Sequence, residues 1–482
     1  MHDRQIQVTE DHAPSSLGAE YSGHPVTAVS RMPTEILCEI FRLALSHKVH
    51  QTAFYDIVHP HIEVRPPWGI GLVSKRWREC ALGDALLWSK IHIDWGTKSE
   101  EQAMLCYPLE ALQTQLSRSG GTALEVYFAT CHSSDASAPA LLLSLLQVLV
   151  DESHRWERFQ FRFASGSLAH QPLPGTLAIL GRIEGQTQRL RHLEFLAGNI
   201  PPGMLAGIHK IFAVAPQLRD VFLIPGGFGD GYSPNFSLPW DQLTHLRATF
   251  DTTVWIETLS RTQALVECSL GIVAPSESGA ARGAPIVLPE LRRLAINDWS
   301  SIGPLNFLET PNLEYLFLNF TSVASAVPFL QRSQCRLRGL TIPEWHFGDL
   351  PQLTQLLKNI PTLLHLHANL MHDTDEPITT TQLFRDLQNT DICPQLTSIH
   401  LTLEEHDSCD FNALYDFLMA RKNTLKFVSI STEDPIPSYM EEKLAALRST
   451  IPHVDVSEIT SEYFKIYFNR PLDRVAKETA YF

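Results

Sequence analysis

Pro311-Asn312-Leu313-Glu314-Tyr315-Leu316-Phe317-Leu318 is the stretch from which the fold can be read. A proline and a polar residue end whatever precedes them and admit an extended segment. The leucines at 313, 316 and 318 then make an apolar-x-x-apolar-x-apolar hexad. Successive side chains of a strand point to opposite faces, so Leu316 and Leu318 share one face while Tyr315 and Phe317 take the other. The hexad recurs as Leu190/Leu193/Phe195, Leu218/Val221/Leu223, Leu243/Leu246/Ala248, Leu265/Cys268/Leu270 and Leu291/Leu294/Ile296 before this stretch. It recurs after it as Leu337/Leu340/Ile342, Leu363/Leu366/Ala368, Leu396/Ile399/Leu401 and Leu425/Val428/Ile430. The period is about 26 residues and irregular. Between hexads, 352–359, 381–387, 411–421 and 439–447 place apolar residues at helical spacing, so each unit is a strand and a helix. One unit cannot cover its own leucines; stacked units bury them between a parallel sheet and a row of helices. The sequence therefore predicts an α/β fold, a curved solenoid over 190–450.

The flanks are less regular. Leu124/Val126/Phe128 and Trp156/Phe159/Phe161 alternate like strands around an amphipathic helix over 139–150, so 96–189 is expected to be a run of irregular first units that caps the array. A last strand near Val454 and Val456 and the aromatics Tyr463, Phe464, Tyr467 and Phe468 assign 451–482 to a C-terminal cap and tail. The glycine-rich stretch 226–231 has no lysine and no helix start, and is expected to be a tight turn rather than a phosphate loop.

Residues 31–94 read differently. In Met32-Pro33-Thr34-Glu35-Ile36-Leu37-Cys38-Glu39-Ile40-Phe41, apolar residues recur at helical spacing behind a proline placed where its missing N–H costs least. Leu72, Val73, Trp77, Cys80 and Ala81 form a second helical face, and Gly83-Asp84 punctuates before a third segment ending in Trp88. Three short helices are expected within 30–95, interrupted by an insertion over 46–67 and preceded by a loose arm over 1–29. A unit of about 60 residues rarely buries Phe41, Trp68, Trp77 and Trp88 without help, so a partner surface is expected as well.

The order Met-Pro-x-Glu-Ile-Leu-x-x-Ile-Phe, Val-Ser-Lys-Arg-Trp-Arg, Leu-Leu-Trp-Ser resembles the fungal form of the F-box, with Met32 in place of the usual leucine. The hexads resemble the degenerate leucine-rich repeats of F-box receptors, without the Asn or Cys that usually follows three residues after the third apolar position; Thr321 and Glu404 stand there instead. The resemblance implies a small three-helix F-box domain followed by a leucine-rich-repeat solenoid with outer helices. It implies the substrate-recognition subunit of an SCF (cullin-RING) ubiquitin ligase, bound to a Skp-type adaptor and through it to a cullin, with a protein substrate on the repeats. Adaptor contacts would fall on Pro33, Ile36, Leu37, Ile40, Phe41, Leu72, Val73, Ser74, Trp77 and Trp88, though some of these, Trp77 above all, could instead build the helical core. The alternatives are a repeat scaffold that does not direct degradation and, more distantly, a metal-dependent enzyme.

Composition narrows the classes. The chain has 482 residues, 19% charged and 44% hydrophobic, with a net charge of −15, which argues against a nucleic-acid binder. The longest apolar run, 139–150, is too short to cross a bilayer of about 30 Å. The first 29 residues lack the apolar core of a signal peptide. Eight dispersed cysteines without a Cys-x-x-Cys pair fit a reducing compartment, with the cytoplasm as the default and the nucleus open. Substrate-facing candidates are the outward strand positions Phe222, Arg247, Arg293, Tyr315, Phe317, His365, His367, His400 and Phe427. The alternative is that loops or the tail cover them. His365, His367 and His400, with His372, Asp373 and Asp375 nearby in sequence, begin a metal-site geometry that lacks a complete ligand set, so no metal or cofactor is expected. No nucleophile–base arrangement or His-Glu-x-x-His pair is present, and no enzymatic activity is expected.

Overall fold

The computed structural model describes residues 31–45, 67–94, 108–131, 138–164, 175–197, 209–225, 236–251, 254–273, 285–298, 303–319, 325–346, 350–371, 381–403, 409–432 and 435–458. The expected N-terminal arm, nearly all of the 46–67 insertion, the glycine turn at 226–231, the residues His372, Asp373 and Asp375, and the aromatic tail lie outside these.

Fourteen strands build one parallel sheet whose order follows the chain: β1 (Lys90–Asp94), β2 (Leu124–Cys131), β3 (Trp156–Ala164), β4 (His192–Ala197), β5 (Asp220–Pro225), β6 (His245–Asp251), β7 (Glu267–Val273), β9 (Arg293–Asp298), β11 (Tyr315–Asn319), β12 (Gly339–His346), β13 (His365–Met371), β14 (Ser398–Leu403), β15 (Phe427–Thr432) and β16 (His453–Glu458). A pair of two-residue strands, β8 (Ile286–Val287) and β10 (Leu308–Glu309), forms a second small sheet. Because the large sheet always grows in one direction and parallel crossovers keep one hand, the connections fall on one side. The other side is its open face.

The hexads hold register throughout. Leu193 pairs with Val221, Val221 with Leu246, Leu246 with Cys268, Cys268 with Leu294, and Leu294 with Leu316. None of these is more than 2% exposed. Register is fixed at the strand entrances, where the carbonyl of the second hexad residue accepts two N–H groups of the next unit. Arg219 O takes Thr244 N and His245 N at 2.9 and 3.0 Å, and Thr244 O takes Val266 N and Glu267 N at 2.8 and 3.1 Å.

The array is longer than 190–450. Residues 90–94, expected within the helical unit, are its first strand, and Trp88/Ile91/Ile93 is a further hexad. The segment 96–189 supplies first units of the same sheet, with a register shift at Leu124/Glu125: Ile93, Phe128, Phe161 and Phe195 are register partners in turn, with Phe161 and Phe195 stacked at 5.2 Å. Ile451/Val454/Val456 closes the series in β16.

Among the described residues the outer layer does not show a helix in every unit. Helices α3 (Leu109–Ser119), α4 (Ala138–Asp151), α5 (Thr176–Gly181), α6 (Val254–Ser260), α7 (Ala326–Ser333), α8 (Leu350–Lys358), α9 (Thr381–Gln388), α10 (Phe411–Arg421) and α11 (Ser438–Leu447) cover part of the sheet. Between β5 and β6 the described residues hold only a 3-10 turn, Trp240–Gln242, and between β7 and β11 the outer layer is β8, the turn Pro304–Phe307 and β10. Pro239, Pro285, Pro289, Gly303 and Pro304 lie in the described parts of these connections, where proline and glycine disfavour a helix interior.

Neighbouring units are also joined by polar side chains that reach back to carbonyls of the unit before. Gln115 Nε2 donates to Trp88 O and Lys90 O at 3.2 and 2.8 Å, and Arg155 Nε to Thr122 O at 3.1 Å. Gln242 Nε2 donates to Ala215 O and Leu218 O at 2.7 and 3.0 Å, and Arg332 Nη2 to Leu305 O and Leu308 O at 2.6 and 2.9 Å. Arg421, 1% exposed, donates to Leu387 O, Asn389 O and Cys393 O at 2.8, 2.7 and 2.8 Å, and also to Ile392 O. Burial lowers its pKa, and the carbonyl dipoles at the end of α9 are its counter-charge.

The first two helices form their own small core. Helix α1 (Thr34–Leu45) packs on α2 (Lys75–Gly83), with 3-10 turns Pro67–Leu72 and Ala85–Trp88 on either side of α2, so the third expected helix is a turn. Leu37, Cys38, Phe41, Cys80, Ala81, Leu87 and Trp88 are its interior. Arg42 holds Asp84 through two contacts of 2.9 and 3.0 Å, while Asp84 caps the last turn by accepting from Leu86 N. The guanidinium of Arg118, on α3, lies 4.6 and 4.5 Å from the ring centres of Trp68 and Trp88 and ties the cluster to the first unit of the sheet.

Candidate functional site

The two surfaces singled out by the sequence are the outside of the helical cluster and the open face of the sheet. Helix α1 carries apolar residues over an arc wider than one stripe, and the fold divides them. Leu37 and Phe41 turn inward and are 1% and 2% exposed; Ile36 and Ile40 turn outward at 50% and 42%. Leu72 and Val73, in and after the turn before α2, are 81% and 61% exposed. Ser74 is the N-cap of α2, accepting from Trp77 N at 3.1 Å, and its residue is exposed, as is Pro33.

This corrects the expected docking set. Leu37, Phe41 and Trp88 have no surface left to bury against a partner: Trp88 is 2% exposed and donates its indole N–H to Ala81 O at 2.7 Å. Trp77 is half-buried, its ring 4.8 Å from that of Phe41. Pro33, Ile36, Ile40, Leu72, Val73 and Ser74 remain accessible, and Leu43, Leu82 and Leu86 add apolar surface that the sequence reading did not include.

On the open face the predicted residues fall into two groups. Tyr315 and Phe317 on β11, His365 and His367 on β13, His400 on β14 and Phe427 on β15 occupy one stretch of five adjoining strands, all half-buried. His367 and His400 are register partners with rings 4.5 Å apart at 81°, and Phe427 stacks on His453 at 4.5 Å. Burial lowers the pKa of His365, whose Nδ1 has no hydrogen-bond partner in the structure. Among the described residues no group of three or more His, Cys, Asp or Glu is placed to hold a metal.

Phe222 on β5 and Arg247 on β6 are register partners in the other half of the face. That half is charged, with Arg158, Arg162, Glu194, Asp220, Arg247, Glu267 and Arg293 on β3 to β9, and much of it is paired internally. Glu194, 8% exposed, accepts from Arg162 Nη2 at 2.6 Å and from Gln160 Nε2 at 3.0 Å. His192 Nδ1 meets Asp220 at 3.0 Å. Burial raises the Asp220 carboxyl, but the hydrogen bond and charge of His192, with His245 and Arg247 behind, bring it below its ordinary value. Arg293 pairs with Glu267 and sits 5.7 Å from the Tyr315 ring centre, so it is already committed and marks the border between the halves.

Sequence reasoning missed the start of this face. His92 stacks on Tyr127 at 4.2 Å, and Arg162 lies 5.5 Å from the same ring. The hexad Trp88/Ile91/Ile93 and the outward positions of the strands already read at Leu124 and Trp156 are the signal that would have found them. No protein-family model matches the chain, and no curated protein matches it. No helix among the described residues is long and apolar enough to cross a membrane.

Proposed function

We propose that this chain is the substrate-recognition subunit of an SCF ubiquitin ligase, in which residues 31–89 act as an F-box docked on a Skp-type adaptor, and through it a cullin, while the repeats hold a protein substrate. In this reading the chain contributes no chemistry of its own and works in the cytoplasm or nucleus. The observation that carries it is the outward stripe of Ile36 and Ile40, one helical turn apart on α1, together with Leu72 and Val73, on a cluster whose interior is already complete. Such a surface supports an apolar partner groove, and each isoleucine, already about half covered, would contribute roughly 1 kcal/mol on burial there.

The test is co-purification of the full chain with a Skp-type adaptor. Ile36→Asp with Ile40→Asp should abolish it while leaving the melting temperature nearly unchanged, because both side chains face solvent in the free chain. Adaptor binding that survives this double variant, or is absent in the wild type, overturns the proposal.

A further inference from the structure

We propose that protein substrates dock on the half of the open face built by β11 to β15, and that they do so through an uncharged, apolar segment. This rests on reading the array as a receptor and narrows where and what it binds. Among the residues whose side chains are described, none that these five strands turn to the open face is Asp, Glu, Lys or Arg; Glu344, at the register shift in β12, is the one charged residue within the strands and its side chain lies outside that description. In a chain that is 19% charged with a net charge of −15, the charges have been placed elsewhere. Depletion of charge with enrichment of aromatic side chains is the compositional mark of an interface core, and binding energy concentrates on such anchors.

Tyr315 and Phe317 are the central anchors, on the first strand of this half. Position 339, beside Tyr315 on β12, is glycine, and a Cβ there would come within 2.5 and 2.9 Å of Tyr315 ring atoms. The missing side chain is what lets the ring lie across the neighbouring strand as a flat floor. The charged half could not serve an acidic or phosphorylated segment in the same way. Capture of a phosphate or carboxylate uses guanidinium groups free to form bidentate bonds, whereas two of the four arginines of that half, Arg162 and Arg293, already hold Glu194 and Glu267. The other two, Arg158 on β3 and Arg247 on β6, stand among Glu194, Asp220 and Glu267 on β4, β5 and β7. Charge complementarity therefore points away from an acidic ligand and toward a neutral one.

The probe is a displayed library of random peptides of about twelve residues, long enough to cross the five strands at about 4.8 Å each, selected on the full-length wild-type chain. Enriched peptides should be rich in Phe, Leu, Met and Tyr and poor in charge, and a synthetic peptide from that set should change affinity by less than about twofold between roughly 50 and 500 mM NaCl. Phe317→Ala should weaken it by about tenfold or more, and Gly339→Val, which displaces the Tyr315 ring without removing it, by a similar factor; Arg158→Ala on β3 should leave it unchanged. Acidic or phosphate-dependent peptides, a steep salt dependence, indifference to Phe317→Ala, or no enrichment at all would each overturn the inference. Adaptor co-purification reports separately on the ligase assignment, since it depends on Ile36 and Ile40 and not on Phe317.

Discussion

Leu37 and Leu366 are equally hidden, at 1% and 2% exposed, yet they are hidden by different means. Leu366 lies between its register partners Leu340 and Ile399, so the next unit on each side completes its cover. Leu37 belongs to a separate interior of seven residues, which no repeat of its own kind extends among the described residues. The large apolar side chains left exposed follow suit: of ten among the described residues, the seven from Ile36 to Leu86 belong to the cluster. An array hides apolar surface by repetition and has little left over, whereas a small cluster finishes its core and still carries an apolar stripe that the described residues leave exposed.

The largest expected effect sets the two interiors against the stripe. Phe161→Ala removes a ring stacked between Phe128 and Phe195 and should cost about 3 to 5 kcal/mol, whereas Ile40→Ala should stay within about 0.5 kcal/mol. Urea denaturation of the full chain measures both, and equal losses would break the comparison. Next comes Arg421→Met, which removes the shared donor of four carbonyls at and after the end of α9. Asn389 O and Cys393 O keep Ile392 N and Leu396 N, while Leu387 O and Ile392 O lose theirs, and the loss should be about 2 to 3 kcal/mol. A neutral outcome would mean that apolar stacking alone holds the units together.

A smaller effect sharpens the boundary between the regions. Arg118→Met removes the cation lying on Trp68 and Trp88 and should cost about 1 kcal/mol, all of it at the junction. Tryptophan fluorescence from the cluster should then change at lower urea than the circular dichroism of the array; coincident transitions would show a junction that does not depend on this contact. The smallest effect is one of pH. Burial depresses the pKa of folded His365 below its ordinary 6.5, so on acidification the unfolded chain takes up the proton first. The stability contribution is complete above that ordinary value and is lost as pH falls toward the depressed folded one. His365→Gln should flatten this part of the dependence of melting temperature on pH.

The sheet was legible because an inward apolar position recurs with the two-residue period of a strand, and a one-residue slip would have exposed Leu316, Leu340 and Leu366 together. The outer layer was less legible, since the segments between hexads carry prolines and glycines that break the helical spacing without saying what replaces it. On α1 the spacing places Ile36, Leu37, Ile40 and Phe41 on adjoining stripes, and nothing in the spacing says which meets Trp88. That choice is made by α2 and the following turn, elements 40 or so residues away, so the docking residues came out half inside. On the open face the strand positions were readable, but the internal pairing of Arg293 with Glu267 across neighbouring strands appears only once register is known.

The backward-reaching donors give the molecule a direction in time as well as in space. In the bonds made by Gln115, Arg155, Gln242, Arg332 and Arg421, the donor belongs to the later unit and the carbonyl to the earlier one. During synthesis the units that carry these carbonyls therefore leave the ribosome with acceptors that a later unit has yet to satisfy. The growing end of the nascent chain is always the unfinished one, while a fragment that begins at an internal unit keeps the donors for every carbonyl of this kind that it retains. Two fragments of equal length, one cut from each end, are thus unequal products of the same repeat.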